Sequence, residues 1–241
     1  MASIDASEHN GTIDPALPGP LAEDRSLAQI IAAKLREGVF DGTYPPGSRL
    51  NIADLAGQLG VSAVPVREAL RNLETEGLVE FRLNKGATVR ELSASEVREL
   101  YLIRCPLESL AAVEAARHAD DGKLNDLNEL LVAMDALTGT GRWHVLHGRF
   151  HERLYQLSDM PRLFQLIAVL RGQMRPYSKT YLNDPAHVSQ AQAEHYQLLR
   201  AMRERDDTKI RTIIRDHVRR PTQLAIIALG KAGPAQIDYL P

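Results

Sequence analysis

The sequence contains few of the residues that mark several large classes of protein. Cys105 is the only cysteine among 241 residues, which excludes a disulfide within the chain and fits a reducing compartment. No apolar run is long enough to cross a bilayer, and no basic segment followed by an apolar stretch marks a secretory signal at the N-terminus. We therefore expect a cytoplasmic protein with no membrane partner.

An excess of positive charge is also missing. Twenty-nine Lys and Arg residues stand against 31 Asp and Glu residues, which gives a net charge of -2. Such a balance gives no general attraction to a polyanion, so any contact with nucleic acid has to come from local geometry. The length of 241 residues is enough for two domains.

The chain divides by composition into four segments. Residues 1–22 hold two glycines, three prolines and no Lys or Arg, which predicts a disordered arm. Residues 23–92 predict three helices and then a β-hairpin, residues 93–230 predict helices alone, and residues 231–241 form a tail. The expected fold class is mainly α: an N-terminal winged helix-turn-helix with a small β-hairpin wing, and a C-terminal antiparallel all-α bundle. The bundle helices are expected over residues 93–118, 121–138, 142–158, 161–181, 186–204 and 207–229.

Two short helices separated by GVS and followed by a hairpin carry the signal for the first domain. Asn51 can cap the first helix, Gly60 can end it in a left-handed conformation, and Ser62 can cap the second. This is the layout of a winged helix-turn-helix, whose second helix enters the major groove of double-stranded DNA. The start and outward face of that second helix carry Ser62, Ala63, Val64, Arg67 and Arg71.

Two arginines of that face can contact DNA in different ways. Arg67 can reach guanine edges or phosphate, whereas Arg71, one turn later, is better placed for phosphate. Lys85 and Gly86 lie at the tip of the hairpin, where Lys85 can touch the DNA backbone or the minor groove. The alternative is that both arginines belong to an ordinary solvated helix face.

The segment PPGSRLNIADLAGQLGVSAVPVREALRNLETEGLVEFRLNKGATV resembles the N-terminal domain of the GntR superfamily of bacterial transcription regulators, especially its FadR-type branch. The resemblance covers about residues 26–92 and implies that Arg67 contacts DNA and that the protein is a repressor. A winged domain that reads half of an inverted-repeat operator implies a homodimer with a two-fold axis. Ala63 departs from the family, which usually has Arg directly after the serine of VS, so the affinity or the operator sequence can differ.

Four histidines of the bundle lie on apolar helix faces. His147 and His151 are one turn apart, and the neighbouring Phe150 marks their face as buried. His195 and His217 lie on the apolar stripes of the last two helices. A single buried histidine is usually an ordinary core residue, but a shared metal ion would satisfy all four at once. Imidazole ligands suit zinc, nickel, copper, cobalt or iron, and we expect a divalent transition metal with zinc first.

The bundle resembles the FCD domain, a helical effector-binding domain. That resemblance implies a metal site made of an Asp, a His four residues later and two more His on the last two helices. His151, His195 and His217 match its histidines, and His147 stands at the aspartate position. Either the site has four histidines, or position 147 has drifted and three ligands remain. Four neutral ligands leave a divalent ion its full charge, which favours an anionic effector, and metal occupancy should fall as the pH drops through about 6.5.

Several side chains near the expected metal site are candidates for binding a carboxylate effector. The resemblance implies that Arg104 faces the effector, where it can form a bidentate pair with a carboxylate. The alternative is an ion pair with Glu108, one helical turn further on. Arg171, Arg175 and Tyr101 are further candidates.

These features predict a metabolite-responsive, DNA-binding transcriptional regulator with a small organic acid as its effector. Two other functions are open: a DNA-binding regulator whose metal is purely structural, and a metal-dependent enzyme. Against an enzyme, Tyr155 stands in HERLY where the zinc-protease motif HExxH needs its second histidine, and no phosphate loop or nucleophile elbow is present. We therefore expect no catalytic activity.

Overall fold

The structure, a computed structural model, describes residues 26–83, 86–137, 143–177 and 184–230. The expected arm over residues 1–22, the tail over residues 231–241 and Lys85 at the hairpin tip lie outside these ranges. The chain divides into two compact units, and the division falls between Glu91 and Leu92.

The N-terminal unit contains helices and a small sheet. Its elements are α1 (Leu27–Asp41), β1 (Arg49–Leu50), α2 (Ile52–Leu59), α3 (Ala63–Thr75), β2 (Val79–Arg82) and β3 (Gly86–Val89). Both α1 and α2 pack on α3, and Leu35, Val66 and Leu70 are among the buried residues of the core they share. The expected winged helix-turn-helix is confirmed.

Polar side chains and one glycine fix the ends of these helices. Ser26 and Gln29 form a capping box at the start of α1, in which each side chain accepts from the other residue's backbone N–H. Asn51 caps α2 through its side chain, and Gly60 ends α2 at φ 65°, a left-handed conformation that suits glycine. Ser62 lies at the start of α3, but its exposed hydroxyl makes no capping hydrogen bond.

The sheet of the wing has one strand more than the sequence predicted. β2 and β3 form the expected antiparallel hairpin, with Arg82 opposite Gly86. β1 pairs with the other edge of β3, with Arg49 opposite Thr88, so the strand order is β1-β3-β2. The sequence did not predict β1, because two residues are too few to show an alternating pattern. The prediction of a two-stranded wing was therefore incomplete.

The C-terminal unit is a bundle of helices. They are α4 (Ala94–His118), α5 (Asp121–Asp135), α6 (Trp143–Gln156), α7 (Pro161–Met174), α8 (Pro185–Glu204) and α9 (Asp207–Ala228). α4 packs against α6, α7, α8 and α9, with its most extensive contacts to α9. Trp143, Tyr101, Tyr155 and Phe150 are the largest fully buried side chains among the described residues. The expected helical bundle is confirmed, and none of its described helices is long and apolar enough to cross a membrane.

The seventh helix ends earlier than the sequence predicted. We expected it to reach residue 181, but α7 stops at Met174 and passes into a 3-10 turn over Arg175–Tyr177. Pro176 explains the difference, because proline has no N–H to donate to the carbonyl of Gly172 and so cannot continue the α-helical hydrogen bonds. The hydroxyl of Tyr177 then accepts a 2.7 Å hydrogen bond from the backbone N–H of Leu92 at the start of the same unit.

Candidate metal centre and DNA-binding surface

Three helices bring four imidazoles to one point in the C-terminal unit. α6 supplies His147 and His151 from successive turns, α8 supplies His195 and α9 supplies His217. One ring nitrogen of each lies within 4.8 Å of the others. Nε2 of His151 is central: the Nε2 atoms of His147, His195 and His217 lie 3.1, 3.3 and 3.2 Å from it. The structure thus brings together the four histidines that the sequence singled out.

Hydrogen bonds among the rings cannot account for this arrangement. A neutral imidazole nitrogen carries either one N–H or one lone pair, and each points in a single direction in the ring plane. Nε2 of His151 can therefore satisfy only one of the three nitrogens around it. Zinc binds imidazole nitrogen at about 2.0–2.1 Å, which places tetrahedral ligands about 3.3 Å apart. The separations around His151 fit this spacing, so the cluster can hold a metal ion.

Burial keeps three imidazoles of this cluster in the neutral form that binds metal. His151 and His195 are 0% and 1% exposed, and His147 is 9% exposed. Burial lowers the pKa of all three rings well below 6.5, and the positive charge of Arg171 acts in the same direction. The sequence placed the loss of metal at about pH 6.5, which is the pKa of an imidazole in water. Protons should therefore compete with a metal only at a lower pH than that estimate.

Aromatic rings line the cluster on the side of α6. Trp143, the only tryptophan in the sequence, stacks on His147 with ring centroids 4.7 Å apart and ring planes 13° apart. The ring of Phe150 lies 4.8 Å from that of His195. Trp143 is 1% exposed, and its Nε1–H has no hydrogen-bond partner among the described residues. Trp143 is therefore a core residue in contact with His147, and its fluorescence can report on the state of that ring.

A second buried group surrounds Glu108 on α4. Its carboxylate accepts hydrogen bonds from Nε of Arg104 at 2.8 Å, Nη1 of Arg171 at 2.9 Å and the hydroxyl of Tyr155 at 2.5 Å. Burial alone would raise the pKa of Glu108, but the two guanidinium groups and the Tyr155 hydroxyl outweigh it and lower the pKa to about 2. Glu108 is therefore ionised and holds the two guanidinium groups together.

Arg104 forms the ion pair with Glu108 that was the alternative to effector binding. The pair engages Nε, and the two terminal nitrogens of Arg104 have no hydrogen-bond partner in the part of the chain that the structure describes. Arg171 joins the same carboxylate from α7, and its charge also acts on the histidines. The two arginines thus lie together, close to the metal candidates.

The other two effector candidates lie in different surroundings. Arg175 follows α7 in the 3-10 turn, and its charge contributes to the lowered pKa of His147. Tyr101 is 1% exposed on α4 and hydrogen-bonds the side chain of Cys105. Burial is the main reason that the pKa of Tyr101 rises to about 12, so its phenol stays protonated.

α3 presents the face that the sequence predicted for DNA. Ser62, Ala63, Val64 and Arg67 are all exposed at its start, and Val64 is 61% exposed. Arg67 has no ion-pair partner among the described residues. A flexible cation on an exposed helix face can reach a base edge or a phosphate.

Arg71 is held against the wing. Its guanidinium lies 4.1 Å from the centroid of the Phe81 ring on β2, and its Nη1 donates to Oε2 of Glu74 at 2.6 Å. Glu74 in turn accepts from the backbone N–H of Phe81 at 3.4 Å. Arg71 therefore connects α3 to the wing, a role that the sequence did not predict. Gly86 begins β3 at φ 71°.

Two side chains at these sites were missed or misjudged from the sequence. Oε2 of Glu194 on α8 lies 2.9 Å from Nδ1 of His217 on α9, and no sequence pattern links residues so far apart. Tyr155 was considered only as a departure from a protease motif, yet its hydroxyl binds Glu108. It lies one turn after His151, a spacing that places both side chains on one helix face.

Two protein families match the chain. "Bacterial regulatory proteins, gntR family" matches residues 27–89, which span the winged helix-turn-helix. The FCD domain matches residues 99–220, which run from α4 into α9 and include the four histidines.

Known transcriptional regulators are similar over most of the chain. "Uncharacterized HTH-type transcriptional regulator YdhC" of Bacillus subtilis is 31% identical over 190 residues, which cover 77% of this chain and 75% of that protein. The solved structure of McbR/YncC from E. coli is 27% identical, has a TM-score of 0.71 and covers 86% of this chain and 98% of its own. The matching families and relatives are transcriptional regulators, not enzymes. The chain belongs to the GntR family of bacterial transcriptional regulators, and an FCD domain follows its winged helix-turn-helix.

Proposed function

We propose that this regulator responds to a metabolite through a metal ion. In this proposal the four histidines bind a divalent transition metal, zinc first, with nickel, cobalt, iron or copper as alternatives. The observation that carries the proposal is the position of Nε2 of His151, which has three imidazole nitrogens within 3.3 Å. A shared cation satisfies such a nitrogen, whereas hydrogen bonds cannot.

The effector in this proposal is a small carboxylate. Imidazoles are neutral ligands, so a bound divalent ion keeps its full charge, and the guanidinium groups of Arg104 and Arg171 lie together at the carboxylate of Glu108. An unbalanced positive charge is unfavourable in a protein interior and favours binding of an anion. The terminal nitrogens of Arg104 offer a bidentate site for a carboxylate, and Arg171, Arg175 and Tyr101 are further contacts we propose.

For DNA, we propose that α3 enters the major groove of an operator. Arg67 would contact a guanine edge or a phosphate, while Ser62, Ala63 and Val64 line the first turn. Arg71, fixed over the wing, would contact phosphate. Lys85 and Gly86 at the tip of the hairpin would meet the backbone or the minor groove.

The assembly we propose is a homodimer. Two copies of the winged helix-turn-helix would read the two halves of an inverted repeat, as a two-fold axis requires. The effector would act by binding one arrangement of the two DNA-binding heads better than the other. The protein would work in the cytoplasm as a repressor.

A purely structural metal is the second candidate, because four protein ligands can complete a tetrahedral zinc site and leave no position open. Metal removal would then unfold the bundle, and no organic acid would shift its melting temperature. The metabolite-responsive reading predicts that a carboxylate stabilises the metal-loaded protein by mass action and changes operator affinity.

Elemental analysis of the purified protein, together with a thermal-shift screen of organic acids with and without a chelator, tests both. We expect about one divalent metal per chain and at least one acid that raises the melting temperature only when the metal is present. If the protein contains metal but no acid stabilises it, the purely structural role of the metal is the one that remains. Purified protein that neither contains nor takes up a transition metal would rule out both readings.

A further inference from the structure

The carboxylate of Glu194 lies beside the histidine cluster and has none of the roles proposed above. It is carried by α8, next to His195 in the chain, but it contacts α9. Its Oε2 lies 2.9 Å from Nδ1 of His217, and its Oε1 lies 3.3 Å from Nη1 of Arg220. The side chains of Glu194 and His217 are only 14% and 11% exposed, so water screens this contact weakly.

The contact with Glu194 determines which nitrogen of His217 can bind a metal. A carboxylate can only accept, so Nδ1 of His217 carries the hydrogen. In the neutral ring Nε2 then carries the lone pair, and this is the nitrogen that lies 3.2 Å from Nε2 of His151. The hydrogen bond also fixes the rotation of the ring.

The other buried rings have no comparable support. Nδ1 of His151 and Nδ1 of His195 are both buried without a hydrogen-bond partner in the described part of the chain. Among the described residues, His217 is the ring of the cluster that contacts a carboxylate, and that carboxylate belongs to Glu194. Four neutral imidazoles supply no charge of their own to balance a divalent ion.

We propose that Glu194 is a positioning residue for the metal site: it holds His217 with Nε2 toward the common point of the four rings and balances part of the charge of the ion. The inference rests on the metal binding proposed above. It adds a residue outside the ligand set to that site.

Zinc affinity of three proteins, measured by competition with a chromophoric chelator, tests the inference. Glu194→Leu removes the acceptor and the charge, and we expect it to weaken zinc binding about 10–100-fold, the usual effect of losing such an outer partner. Glu194→Gln keeps an acceptor oxygen and removes only the charge, so its loss should be smaller. Glu204→Gln is the matched control: it removes one charge from the same helix, where Glu204 pairs with Arg200 and Lys209. We expect no change for the control.

Two further readouts separate positioning from a general loss of stability. If Glu194 only supported the fold, its substitution would lower the melting temperature equally in zinc and in chelator. We expect the substitution to reduce only the rise in melting temperature that zinc produces. The visible spectrum of the cobalt-loaded protein should also change in Glu194→Leu, because the orientation of His217 affects the ligand field at the cobalt ion. If the Leu variant does not fold, the Gln variant still carries the test.

The outcomes distinguish this inference from the proposed function. Wild-type protein that binds no zinc or cobalt overturns the metal site and this inference with it. Wild-type protein that binds zinc while both Glu194 variants bind it equally well overturns the role of Glu194 alone. Weaker binding in Glu194→Leu, with an unchanged melting temperature in chelator, supports it.

Discussion

At the scale of single residues, Glu108 is a buried carboxylate on which three other side chains of the bundle converge. It is 0% exposed and accepts from two guanidinium groups and one phenol. Removing one member of a buried ion pair leaves the others desolvated and unpaired, which is far worse than losing an exposed pair. Arg104, at 8% side-chain exposure, has little access to water in compensation.

We therefore expect Glu108→Gln to destabilise the metal-free protein by about 3–5 kcal/mol, the usual range for breaking a buried ion pair. Urea unfolding followed by circular dichroism measures the loss. Glu114→Gln is the control on the same helix, because Glu114 pairs with the exposed Arg117, and its loss should stay below about 1 kcal/mol. Equal effects of the two variants would mean that the buried group contributes no more than a surface pair.

Arg67 is the residue on which DNA binding should depend most. It is exposed on α3, and it has no ion-pair partner among the described residues to compete with DNA. We expect Arg67→Ala to weaken binding to a DNA fragment selected from a random pool by the wild-type protein. The loss should be about 1–3 kcal/mol if Arg67 reads a guanine.

Gel shift at fixed salt measures the effect of Arg67→Ala. Arg200→Ala removes an arginine that is 81% exposed on α8 of the bundle and serves as the control for charge. Unchanged affinity in Arg67→Ala, or an equal loss in Arg200→Ala, would contradict the assignment. A uniform loss on all sequences, with a reduced dependence on salt, would place Arg67 on phosphate instead of a base.

At the scale of helices and strands, the features that the sequence predicted are those encoded by short-range patterns. Apolar spacing and polar caps predicted the helices of both units, and HGRFH predicted two imidazoles on one face because residues four apart share a face. β1 was missed because a two-residue strand has no pattern of its own. α7 was predicted too long because its apolar spacing outweighed Pro176, which ends the helix.

Contacts between different helices and strands are not encoded by such short-range patterns. Glu194 and His217 are 23 residues apart on neighbouring helices, so only the packing of α8 on α9 brings them together. The same holds for Arg71 and Phe81, which meet because α3 packs on β2. The sequence predicted which residues were candidates for the metal, but the partners that hold those residues depend on tertiary structure.

The burial of His147, His151 and His195 on α6 and α8 predicts how the metal-free bundle responds to pH. Well above about pH 6.5, these three histidines are neutral in both the folded and the unfolded chain. Below it the unfolded chain takes up protons, while burial keeps the pKa of His147, His151 and His195 well below 6.5 in the fold. The unfolded state then binds more protons, so the free energy of unfolding should decrease as the pH falls from 7.5 to 5.5.

Urea midpoints of chelator-treated protein at the two pH values measure this decrease. His195→Phe replaces a buried ring that titrates on unfolding with one that does not, so it should reduce the dependence on pH. His118→Ala removes an exposed histidine at the end of α4 and should leave the dependence unchanged. A midpoint that does not move between pH 7.5 and 5.5 would show that the rings are not held neutral by the fold.

At the scale of the whole molecule, regulation requires that the bundle and the DNA-binding unit influence each other's equilibria. An effector that changes operator affinity by some factor must itself bind more or less tightly by the same factor when operator is present. A metal that only held the bundle together would affect DNA binding through unfolding alone. Substitution of His151 separates these cases, because its Nε2 is the atom that lies close to Nε2 of all three other histidines.

We expect His151→Ala to retain no zinc after gel filtration and to lose the response of operator binding to any organic acid that the wild-type protein responds to. Operator affinity without acid should stay within about tenfold of wild type, or about 1.4 kcal/mol, because the substitution leaves α3 and the wing unchanged. Elemental analysis and gel shift with and without the acid measure the two effects, and His118→Ala is the exposed-histidine control. A variant that is unfolded by circular dichroism would favour the structural metal, and a variant that loses zinc but still responds to the acid would separate the effector from the metal.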